Sequence, residues 1–202
     1  VHVLATLNEG GNESLAHSLI TAWPVKQNHI IATLGYQSGP MLERFERIGI
    51  VDSVPMGWPL SLSRLFATFL WLLKTKPSAI ISYTFNVQVL PFCILAKLCG
   101  CKDIFVRVGN PPPCSSRAKS RCRWLVRLFR WSSIPLMSCS VSVHRQLSSL
   151  ASLPKGSHPI LNGCNFEHIS LSAAASRSSR IENDLHRIVM VARLDPIKDQ
   201  AT

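Results

Sequence analysis

Apolar residues along the chain fall into short continuous runs separated by longer stretches of helical period. Val1 to Leu7 (VHVLATL) reads as a buried strand, and after Gly10-Gly11 a helical apolar repeat runs from about Asn12 to Trp23. The alternation continues with a strand at Asn28–Leu34, a helix near Pro40–Ile48, an apolar helix at Leu60–Lys74 and a strand around Ile80. A helix through Val87–Cys99, the strand DIFVRVGN (Asp103 to Asn110), a basic helix around Arg117–Arg130 and a strand at Ile188–Ala192 follow. Strands alternating with helices of this length predict an α/β fold, a doubly wound, Rossmann-like parallel sheet.

Within that pattern, Ser61, Arg64 and Thr68 share one narrow face of the otherwise apolar helix Leu60–Lys74. Such a helix is expected to lie mostly buried against a sheet, with membrane insertion as the alternative. Asn110-Pro111-Pro112-Pro113 must leave its strand as a rigid, extended loop. It is expected to wall the carboxyl end of the sheet, where ligands of open α/β domains sit. Ser170–Arg180 (SLSAAASRSSR) has no core-forming pattern and reads as a connection between domains. The expected organisation is a first domain over 1–169, a linker over 170–186 and the start of a second domain over 187–202.

Composition narrows the class. With 202 residues, 47% of them hydrophobic and 16% charged, the chain has material for one well-packed domain and is not a disordered one. Val1 is no initiator and no signal-peptide core follows it, so the natural start is expected to be lost or trimmed. No window reaches the ~18 uninterrupted apolar residues that a membrane span needs. The 7 cysteines show no paired CxxC spacing and the 7 histidines no HExxH pair. They read as core or surface residues in a reducing cytosol, without a metal site.

The net charge of +11 is unevenly spread: no Asp or Glu occurs from Ile104 through Phe166. On a helix, Lys119, Arg123, Arg127 and Arg130 form one stripe, beside Trp124, Leu128 and Trp131. Three readings stand open: a solvated helix whose aromatics pack on the domain, peripheral docking of Arg117–Arg130 on an anionic membrane, or, last in order, nucleic-acid binding.

The candidate chemistry sits at strand ends. Gly10 and Gly11 would let the backbone turn sharply and let a phosphate or sugar approach the amides, although GxGxxG is absent and a tight turn alone is the plainer account. Arg107 and Asn110, at the end of their strand, could bind acceptor hydroxyls or phosphate; an ordinary surface Arg is the alternative. Arg193 follows the strand Ile188–Ala192 directly, and Lys198 comes five residues later. Two cations beyond a parallel strand, near a helix that Pro196 could open, suit a diphosphate. A surface ion pair with Asp195 or Asp199 is the competing account. Asn162-Gly163 reads as a structural turn.

In this order and at these separations, GGNESLAHSL, LNGCNFEHI and VARLDPIKDQAT resemble the amino-terminal half of a family-4 glycosyltransferase of the GT-B type. The resemblance implies a retaining transfer of a sugar from a nucleotide-sugar donor to a saccharide or lipid-linked acceptor, at the cytoplasmic face of a membrane. It implies that Arg193 and Lys198 grip the donor diphosphate, that the Gly10-Gly11 loop faces the cleft, and that neither metal nor other cofactor is needed. The catalytic residues are unassigned: the family's paired glutamates are expected beyond Thr202, so this segment alone is expected to be inactive. The family's histidine-bearing segments read Ser-Tyr-Thr at Ser82–Thr84 and Arg-Val-Gly at Arg107–Gly109, so no histidine carries over. The rival readings are a GT-B nucleotide-sugar epimerase or phosphorylase, or a basic module binding RNA or membrane without catalysis.

Overall fold

The computed structural model describes residues 1–23, 28–34, 38–54, 56 and 61–161. The expected linker, the Asn162-Gly163 turn, the strand Ile188–Ala192, Arg193 and Lys198 lie outside the described residues.

Among the described residues, seven parallel strands form one sheet: β1 (His2–Leu4), β2 (Ile30–Thr33), β3 (Ile50–Ser53), β4 (Ala79–Ser82), β5 (Asp103–Val108), β6 (Leu136–Ser138) and β7 (His158–Pro159). Their spatial order is β3-β2-β1-β4-β5-β6-β7. The chain winds outward from β1 to β3, crosses back to lay β4 beside β1, and winds outward again to β7. One register row runs Ala32–Val3–Ser82–Val106–Leu136 across five strands. All five side chains are fully buried.

Parallel strands need crossover helices, and these cover both faces of the sheet. On one face α1 (Gly11–Thr21) and α2 (Leu42–Glu46) bury Ala16, Ile20 and Phe45 against Leu4 and Ile31. On the other, α3 (Leu62–Thr75), α4 (Val89–Leu98), α5 (Ser116–Trp131) and α6 (Val141–Leu150) close the larger core around Val3, Phe92, Val106 and Phe129. Local chemistry starts these helices where the pattern places them. Ser61, Ser115 and Ser140 each accept a hydrogen bond from a backbone N–H of the first turn. Asn86 Oδ1 does so for α4 through the N–H groups of Gln88 and Val89.

Two expectations need correction. The helix Leu60–Lys74 is not largely buried: within α3 only Thr68 and Leu72 are, while Leu62, Phe66, Leu70 and Leu73 are exposed. The orientation follows from Trp71. Its indole N–H donates to Asp52 Oδ2 of β3 at 2.7 Å and its ring packs against Phe92 of α4. That turns the Thr68 side inward. In α5, Trp124 and Trp131 do not pack on the domain; they are 54% and 80% exposed. Leu125, Val126 and Phe129 make the packed face instead.

Two buried polar groups make the fold testable. Thr68 Oγ1 is buried without a hydrogen-bond partner among the described residues. Thr68→Val keeps the shape and removes the stranded hydroxyl, so it is expected to stabilise the protein by about 1 kcal/mol. Calorimetry should read a Tm rise of roughly 2–4 °C; a lower Tm contradicts the assignment.

His2 is buried between the Tyr83 hydroxyl and His29 Nδ1, each 3.1 Å away. Burial first, with His29 adding to it, lowers its pKa to about 3. An unfolded histidine takes its proton near pH 6.5. Below that pH the unfolded state therefore binds more protons. The stabilisation is complete above pH 6.5 and drains away toward pH 3, at about 1.4 kcal/mol per pH unit for this one group. Urea midpoints at neutral and mildly acid pH should converge in His2→Gln relative to the parent; an unchanged pH dependence rules His2 out as its source.

Candidate functional site

Strand order reverses between β1 and β4, and loops leaving the carboxyl ends of neighbouring strands diverge there. A cleft of about 380 Å³ lies at that edge. One wall is the β4–α4 connection, from Tyr83 to Val87; another is the end of β5 and the loop after it, from Val108 to Pro113; Asn12 of α1, residues of α5 that include Arg121 and Leu125, and Leu147 of α6 complete it.

Each wall has a local cause. Beyond β4, Ser82 Oγ donates to the Thr84 carbonyl at 3.0 Å, and Asn86 caps α4, so the loop between them is fixed at both ends. Beyond β5, the Cys139 thiol donates to the Gly109 carbonyl at 3.2 Å. The run Pro111–Pro113 offers no backbone N–H and stays extended. It gives the cleft an apolar, rigid stretch of lining, while Asn12 and Asn86 supply amides to the same cleft.

Arg107 of β5 reaches across the end of β4, and its Nη1 donates to Asn12 Oδ1 in the first turn of α1. The guanidinium is half-buried; burial lowers its pKa, while Cys139 and Tyr83 oppose the shift. An Arg remains a cation even so. Tyr83, packed beneath the cleft, has its hydroxyl pKa raised by burial, partly offset by Arg107. Gly109 makes the Arg107–Asn12 contact possible. A Cβ there would stand 2.9 Å from Arg107 Nη1 and 3.0 Å from Asn12 Oδ1.

The structure brings Asn110 into the cleft lining and sets Arg107 behind it. Gly10 and Gly11 are at the amino end of α1, and the next residue, Asn12, is the one that lines the cleft. Gly10 has extended backbone, φ −159° and ψ 169°, which any residue adopts. Its lack of a side chain instead leaves room for the Glu13 carboxylate, which also accepts from Thr6 Oγ1 at 3.4 Å. With Glu13 in the first turn, that helix end already has an anion. Sequence reasoning weighed the two glycines and passed over Asn12 beside them. It met Tyr83 and Thr84 only as a segment to which no histidine carries over and Arg121 only as part of the basic helix, and it passed over Phe85 and Asn86; no local pattern signals that these share a cleft.

Hydroxyls and amides from Thr84, Asn12, Asn86 and Asn110, with Arg121 at one edge, can read a polyhydroxylated ligand. Phe85 and the prolines offer its apolar faces a surface. No carboxylate lines the cleft among the described residues.

No protein-family model matches the chain, and no curated protein does. Among solved structures, HepE of Anabaena, determined in complex with UDP and glucose, matches 88% of this chain at a TM-score of 0.64 and 13% identity. The chain spans 49% of that protein's length. The likeness fixes the fold: a seven-stranded, Rossmann-like parallel sheet.

Gly109→Ala tests the geometry. The clash falls on side-chain ends, so the domain should keep its fold and lose at most about 1–3 kcal/mol. The Arg107–Asn12 contact should open. In a crystal structure of the variant the two groups are expected apart; an unmoved pair contradicts the role given to Gly109.

Proposed function

We propose that this chain is the acceptor-side part of a glycosyltransferase that moves a hexosyl group from a nucleotide-sugar to a saccharide or lipid-linked acceptor. The observation that carries the reading is the cleft itself. It combines hydroxyl- and amide-bearing walls with an apolar proline face, on a sheet resembling that of a protein solved with UDP and glucose. Sugar hydroxyls are recognised by such fixed donors and acceptors, and sugar rings by such apolar faces.

In this reading the acceptor lies against Asn12, Thr84, Asn86 and Asn110, while Arg107 holds Asn12 in position. The donor approaches from the second domain. Arg193 and Lys198 then take the diphosphate, whose charge grows as the sugar's C1–O bond breaks. Two fixed cations can stabilise that leaving group without a metal ion. Retention of configuration and a place at the cytoplasmic membrane face follow from the sequence resemblance. Closing the two domains would exclude water and align the reactants.

Transfer should be assayed on the complete protein with UDP-hexoses and a panel of glycoside and prenyl-phosphate acceptors. Arg193→Ala and Lys198→Ala are each expected to lower turnover by about 10²–10³-fold with the fold intact. Unchanged rates in both remove the diphosphate assignment. Donor turnover without an acceptor, or a requirement for phosphate, replaces transfer by epimerase or phosphorylase chemistry.

A further inference from the structure

The two faces of the sheet differ in charge as well as in position. The helices α1 and α2 carry Glu13, Glu43 and Glu46, whereas α3, α4, α5 and α6 contain no Asp or Glu at all. Cations are dense on that second layer. Arg64 and Lys74 lie in α3, Lys97 in α4, and Arg117, Lys119, Arg121, Arg123, Arg127 and Arg130 in α5.

The same layer leaves large apolar side chains uncovered. Along α3, Leu62, Phe66, Leu70 and Leu73 recur at helical spacing and are 42–85% exposed. On α5, Trp124 and Trp131 stand two turns apart, flanked by Arg123, Arg127 and Arg130. Isolated exposed apolar residues need no explanation, but stripes of them do. Trp beside Arg is the composition of a surface that sits at lipid headgroups, apolar body inward and cation toward phosphate.

We infer that the α3–α5 layer docks on an anionic lipid bilayer, with Trp124, Trp131, Phe66 and Leu70 entering the headgroup boundary and the α5 arginines meeting lipid phosphates. Charge complementarity selects this occupant. A layer with nine cations among the residues just named and no carboxylate repels a second copy of itself. A bilayer rich in anionic lipid attracts each of these surface cations. Arg121 borders both the cleft and a recess formed with Arg117, Ser120 and Trp124, so the cleft opens beside the docked helix. Delivery of a lipid-linked acceptor through that edge rests on the transferase reading; bilayer binding does not.

Vesicle sedimentation of the full chain tests the inference. Vesicles of equal parts phosphatidylcholine and phosphatidylglycerol should bind the protein, and pure phosphatidylcholine should bind it weakly. Trp124→Ala with Trp131→Ala should weaken anionic-vesicle binding at least tenfold. Arg127→Gln with Arg130→Gln should cost at least tenfold and flatten the salt dependence. Phe66→Ser with Leu70→Ser should weaken binding to both vesicle types. All six side chains are exposed or at the surface, so circular dichroism and Tm should stay those of the parent. Brominated lipid should quench parent fluorescence more than that of the Trp124→Phe, Trp131→Phe variant.

Three results overturn the inference: no binding to anionic vesicles, binding that all three variant pairs leave unchanged, or a dimer in solution that Phe66→Ser with Leu70→Ser disrupts. Salt-sensitive RNA binding without vesicle binding would also assign the cations elsewhere. Absence of transfer by the unaltered complete protein, with vesicle binding intact, would count against the transferase reading alone.

Discussion

A half-buried cation reaching over the end of a strand sets the geometry of this domain's working edge. Arg107 on β5 crosses the end of β4 to meet Asn12 at the start of α1. It thereby ties β5 to the first turn of α1, the helix that packs on the opposite face of the sheet from α4 and α5. A switch point supplies a crevice; it does not by itself fix the walls. Here the walls are fixed by that contact, by the bare Cα of Gly109 beneath it, and by prolines that cannot fold back into a strand or helix. The cleft is therefore a consequence of strand order plus one polar bridge.

The two helical layers then divide the remaining labour. The α1–α2 layer is conventional, with a closed core and mixed surface charge. The α3–α6 layer is packed tightly inward around Phe92 and Phe129 yet presents leucines, a phenylalanine and two tryptophans outward. These properties are linked in α3. The tie from Trp71 to Asp52 rotates the helix so that its polar Thr68 is buried and its apolar stripe is exposed. An arrangement that leaves a hydroxyl stranded and leucines wet is costly in water alone. It becomes reasonable if the outward stripe has a partner.

Much of this was readable from residue order. Every long apolar-periodic segment within the described residues became an element: the strand at Asp103–Val108 and the helices Gly11–Thr21, Val89–Leu98 and Ser116–Trp131. What escaped was short or non-local. β6 and β7 have three and two residues, below any usable periodicity, and β3 is an edge strand with neither end buried. The helix Val141–Leu150 did carry a signal, Val143, Leu147 and Leu150 on one face, but a serine-rich background obscured it. The direction in which α3 faces depended on a contact 19 residues away, and the role of Asn12 on one 95 residues away. Pattern alone does not encode either pairing. In contrast, Pro111–Pro113 could be placed from sequence because proline acts on its own backbone.

The central claim is that ligands enter at the carboxyl edge, between the β4–α4 and β5–α5 loops. Amide hydrogen exchange on the complete protein, with a UDP-hexose and the acceptor it consumes, tests this most directly. Added acceptor should slow exchange in Thr84–Val87, Gly109 and Asn110, and at the start of α1. Acceptor protection confined to other surfaces, with these segments unchanged during active transfer, would contradict the account.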